Sequence, residues 1–153
     1  MKKTLLACAL LASAAMPAQA ITFRTLTPIY VGTGAVDDGG GFNLGIATSI
    51  NCSNVSGVSA QVRITVRRFS GPVEGSVTFT LLHGGTRTAS THSEATFDLD
   101  FNLATGPVFQ GLIQVYSTQS GVFCNAIVTD AADAGNGFNL GMVRLNPHPG
   151  TVE

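Results

Sequence analysis

Between Ser59 and Arg68, Ala60, Val62, Ile64 and Val66 alternate with Gln61, Arg63, Thr65 and Arg67. A period of two puts the two sets on opposite faces of an extended chain, so this segment predicts a strand with one buried side and one wet side. Gly71-Pro72 breaks it, and Ser76 to Leu82 follows as a second strand with Val77, Phe79 and Leu81 on one face. Val108 to Thr118 and Val122 to Thr129 read as a hairpin turning at Gln119-Ser120-Gly121, and the second of them points Cys124 inward with Val122, Ala126 and Val128. Ile21 to Val31, Phe42 to Ile50, Thr86 to Thr91 and Phe138 to Leu145 complete the set, while Ala95 to Pro107 follows no clear pattern. About eight strands with regular turn signals and no helical stretch predict an all-β fold, an antiparallel β-sandwich, with a small β-barrel as the alternative.

The first residues change the picture of where this sheet protein works. Lys2 and Lys3 precede an apolar run from Leu5 to Ala15, and Ala18-Gln19-Ala20 then offers the small-x-small site of a signal peptidase. Residues 1–20 are therefore expected to be a signal peptide and 21–153 a single β-sandwich domain, periplasmic or secreted, with no transmembrane segment. Beyond Lys3 the basic residues are Arg24, Arg63, Arg67, Arg68, Arg87 and Arg144, against nine acids in the chain. Such a balance carries no basic stripe and argues against nucleic acid as a partner.

Cys52 and Cys124 remain after processing, and an even pair in an oxidising compartment predicts a disulfide, here closing a loop of about 72 residues. An early and a late cysteine resemble, in architecture, the immunoglobulin-type sandwich, and that likeness implies a bridge tying the two layers together. The chain has no tryptophan, and Val122 stands where that fold places a tyrosine, so the likeness is one of architecture alone.

Residues 35–46, AVDDGGGFNLGI, recur at 131–142 as AADAGNGFNLGM. The echo predicts two equivalent β-hairpins, their aspartates capping glycine turns and Phe42 and Phe138 anchoring related corners of the core. The same loops are candidate ligand loops: Asp37, Asp38, Asp130 and Asp133 would offer carboxylates to Ca²⁺ if the loops converge, although the spacing is not that of an EF-hand.

Catalytic chemistry is thin. No G-x-S-x-G nucleophile motif occurs, and His83, His92 and His148 are too few and too scattered for copper or zinc sites of known pattern. Asp98 and Asp100, at alternate positions, are the one carboxylate pair that would serve a small exported hydrolase. Arg63 and Arg67 share a strand face, with Arg68 beside them, and are candidates for contact with an anion. The favoured reading is a non-catalytic module with a structural or surface-binding role toward an envelope protein or saccharide. Alternatives are the hydrolase and a pilus- or adhesin-type subunit that assembles by strand addition.

Overall fold

The computed structural model describes residues 25–98, 100–133 and 136–145. The expected signal peptide, with its cleavage site, and His148 lie outside the described residues. Ten strands follow in order: β1 (Thr27–Asp37), β2 (Ile46–Asn54), β3 (Ala60–Arg67), β4 (Val73–Leu81), β5 (Thr86–Ser90), β6 (Asp100–Asn102), β7 (Val108–Ser117), β8 (Val122–Asp130), β9 (Gly137–Leu140) and β10 (Met142–Arg144). They form two five-stranded sheets, β10-β1-β7-β3-β4 and β6-β5-β2-β8-β9, which pack as a β-sandwich. No helix among the described residues is long and apolar enough to cross a membrane.

The alternation in β3 does what its period requires. Ala60, Val62, Ile64 and Val66 are fully buried, and they meet Ile113 and Val115 of β7 and Ile50 and Ala126 of the opposite sheet in one core. Burial of this kind is the main term that stabilises a sandwich. Two strands exceed the expected number. The Phe138–Leu145 segment splits at Gly141, so that β9 pairs with β8 in one sheet and β10 with β1 in the other, wrapping the edge of the sandwich. Within the patternless 95–107 stretch, β6 runs parallel to β5 for three residues, and Phe101 stacks on Phe79 with ring centroids 4.8 Å apart to close the other edge.

The disulfide joins Cys52 and Cys124 but does not tie the layers together. The two residues are register partners on adjacent antiparallel strands β2 and β8, with Cα atoms 4.2 Å apart. Alternation places both side chains on the inner face of that sheet, where Cys52 is part of the core and Cys124 packs against it, so the bridge staples two neighbours. The layers are linked instead by packing and by Thr48 of β2. Its Oγ1 accepts from the Val36 N–H and donates to the Val36 carbonyl of β1, both at 2.8 Å.

The echo also folds differently from expectation. The second copy is a hairpin between β8 and β9, whereas the first crosses from β1 in one sheet to β2 in the other. Phe-Asn-Leu is strand in β9 but a turn at Phe42–Leu44, where Asn43 has a φ of 53°. Phe42 and Phe138 are 80% and 60% exposed and anchor nothing in the core. The shared glycines make either conformation accessible, and strand pairing decides between them. The aspartates do cap their turns: Asp37, Asp38 and Asp130 accept hydrogen bonds from the backbone N–H of Gly39, Gly40 and Ala132 respectively.

Candidate functional site

The two glycine loops meet at one end of the sandwich, where the Ala131 N–H donates to the Gly45 carbonyl at 2.7 Å. Among the described residues the one cluster with metal-ligand spacing is Asp37, Asp38 and His92, without Asp130 or Asp133. Asp37 is fully buried and already engaged. Its Oδ1 accepts from the Gly39 N–H at 2.7 Å, and its Oδ2 lies 2.9 Å from His92 Nδ1 and accepts from the Thr105 hydroxyl at 3.2 Å. His92 Nε2 faces the Leu44 carbonyl at 3.0 Å. A carbonyl only accepts, so Nε2 carries hydrogen and one further proton is held between Nδ1 and Oδ2. These bonds draw the first glycine loop, β1 and the segments flanking β6 onto one carboxylate, which accounts for the burial of a charge by fastening the fold. Glu94, also buried, takes the Thr96 and Phe97 N–H groups on Oε2 and builds the turn before β6.

Asp98 and Asp100 do not stand on one strand face. Asp98 lies exposed in a bend, and β6 begins only at Asp100. Arg63 and Arg67 do share the outer face of β3, but four residues of strand separate them by about 13 Å. Arg63 Nε donates to Thr78 Oγ1 on β4, while Arg67 donates to Gln114 Oε1 and the Gly71 carbonyl. β3 lies between β7 and β4, so these arginines guard no sheet edge.

Arg67 belongs to a different constellation. Where β3 ends, Arg68, Phe69 and Ser70 turn tightly into β4, closed by bonds from Arg68 N to Pro72 O and from Gly71 N to Arg68 O. Beside that turn β7 carries a bulge: Val36 pairs with Phe109 and Ala35 with Gly111, which leaves Gln110 unmatched. The extra residue puts Phe109 and Gln110 consecutively on the wet side. Gln110 adopts a φ of 117°, a region normally left to glycine. Between these elements lies a cleft of about 520 Å³ lined by Arg68, Phe69, Pro107, Phe109 and Gln110. A second hollow of about 470 Å³ shares Arg68, Phe69 and Gln110 and extends toward Thr33, Arg67 and Leu112. Phe69 is 74% and Phe109 61% exposed. Arg68 Nε pairs with Glu74 at 2.9 Å.

An exposed aromatic pair, a guanidinium and an amide on a strained bulge form the most complete binding constellation of the described surface. The strain is testable by itself. Gln110→Gly is expected to raise stability by about 1 kcal/mol, since glycine adopts positive φ without strain. Chemical denaturation checks this, and a loss of stability would show that the amide holds the bulge together. Periodicity missed Gln110 because the run from Val108 to Gln114 reads as uninterrupted strand; the apolar doublets Val108-Phe109 and Leu112-Ile113 on either side of it are the signal that alternation slips there.

These features define a disulfide-stapled β-sandwich with an aromatic cleft on the rim of one sheet. Compared with protein-family models, with curated proteins and with solved structures, the chain matches none.

Proposed function

We propose that this chain is an exported, non-catalytic binding module whose ligand sits against Phe69 and Phe109. The observation that carries this reading is the bulge at Gln110, which turns two successive side chains of β7 outward beside an exposed turn aromatic. Phe42 and Phe138 are comparably exposed, so what sets this place apart is the conjunction of two rings, a hollow between them and a glutamine held at positive φ on its wall. Export is supported by the tripartite start of the sequence and by the disulfide, which suits an oxidising compartment.

The expected result for a Phe69→Ala, Phe109→Ala double variant is retained folding with loss of binding. Both rings lie largely outside the core, so melting should stay close to wild type. Binding to immobilised envelope polysaccharide, followed by surface plasmon resonance, should fall at least about tenfold. Unchanged binding by a folded double variant would place the ligand elsewhere.

A second reading, assembly by strand addition, has one observation in its favour: β4 forms a nine-residue outer edge of its sheet. It calls for concentration-dependent self-association, which sedimentation velocity would reveal.

A further inference from the structure

We infer that the ligand of the Phe69–Phe109 cleft is an acidic saccharide, bound through sugar faces on the two rings and a carboxylate on Arg68. This inference rests on the binding-module reading and names the ligand class for the same site. Three features point to it. The first is the pairing of exposed, flat phenyl faces with polar groups in one open hollow. A pyranose has that divided character, with C–H groups on its faces and hydroxyls around its rim. The phenyl rings would stack on the faces while the Gln110 amide, both donor and acceptor, meets the rim hydroxyls.

The second feature is charge. Arg67 and Arg68 line the connected hollows, and the single acid paired with them is Glu74. Glu74 engages Arg68 through Nε, and no hydrogen bond among the described residues engages Arg68 Nη1 or Nη2. A guanidinium edge of this kind matches a carboxylate bidentately. One positive charge in excess favours a uronate over a neutral sugar. The third feature is extent. Two adjoining hollows that share Arg68, Phe69 and Gln110 suit a chain of sugars better than one ring. A proline-rich peptide, the other common occupant of aromatic clefts, is usually held by tyrosine or tryptophan tips that also donate hydrogen bonds; phenylalanine has none.

The test is calorimetric titration of the purified protein with oligogalacturonate, with the same oligosaccharide after carboxyl reduction, and with a proline-rich peptide. The uronate is expected to bind at least about tenfold tighter than its reduced counterpart, as loss of a charge-assisted pair implies. Arg68→Gln should bring the two affinities to within about twofold of each other. Phe69→Ala should weaken both. Equal binding of the two sugars by wild type, abolished by Phe69→Ala, would overturn the acidic class and leave the binding-module reading standing. Binding of the peptide alone would overturn the saccharide class. Binding of any probe that is unaffected by Phe69→Ala and Phe109→Ala would overturn the site itself, and absence of binding by all three probes would overturn the inference.

Discussion

Removing the carboxylate of Asp37 is expected to cost about 3 to 5 kcal/mol, the range for breaking a buried ion pair from one side. In Asp37→Ala the buried His92 Nδ1 side of the shared proton loses its acceptor and the exposed Gly39 N–H loses its turn bond, while the Thr105 hydroxyl keeps the Gly106 carbonyl at 3.0 Å. Unpaired buried donors carry their full desolvation penalty, which is why the deletion costs more than the bonds are worth net. Asp37→Asn keeps the Oδ1 oxygen for Gly39 and offers an N–H from the Oδ2 position to a neutral His92, with the Thr105 hydroxyl left to the Gly106 carbonyl. Its cost should therefore be smaller, about 1 to 2 kcal/mol. Urea denaturation of the three proteins measures both numbers. Equal costs would show that charge, and not the hydrogen-bond hub, is what Asp37 contributes. A negligible cost for Asp37→Ala would show that the hub fastens nothing.

Cys52→Ser, Cys124→Ser or their combination should destabilise the domain by about 2 to 5 kcal/mol, and the double change should cost little more than either single one. Chain entropy accounts for roughly 4 kcal/mol of this for a loop of the observed length. Because the bridge joins register partners within one sheet, its loss leaves the β2–β8 pairing in place, and the reduced protein should keep its far-ultraviolet circular dichroism in the absence of denaturant. Intact mass of exported protein starting at Ile21, two hydrogens lighter than the dithiol form, checks the bridge and the processing together. Free thiols in the native protein would contradict both the bridge and this stability estimate.

Local periodicity made the sheet legible and left the site largely hidden, for a physical reason. Alternation in β3, β4, β7 and β8 is a property of neighbours in sequence, so the buried set of β3 and its pairing with β4 follow from the chain alone. The expected hairpin at Gln119–Gly121 does not form, because β7 and β8 belong to different sheets and that turn crosses between the layers. Which strands become neighbours is settled by the whole sandwich. The cysteine pair was readable, but its place within one sheet was not. The hub is less accessible still, because Asp37, His92 and Thr105 come from three distant segments with no shared pattern. The Phe-Asn-Leu-Gly echo misled in an instructive way. Identical residues became turn in one place and strand in the other, because only Phe138-Asn139-Leu140 finds a partner strand, in β8. Of the arginines singled out, Arg67 reaches the cleft and Arg63 does not. Phe69 and Phe109 gave a faint signal only, an aromatic in a turn and one next to a core valine.

The claim that this rim cleft is the binding site is tested most directly by nuclear magnetic resonance, with backbone amide shifts followed during titration with envelope-type polysaccharide fragments. The perturbed amides are expected to centre on Arg68, Phe69, Phe109, Gln110 and Gly111, with those around Asp98 and Asp133 unmoved. Shifts confined to the two glycine loops, or to the bend at Asp98, would contradict it.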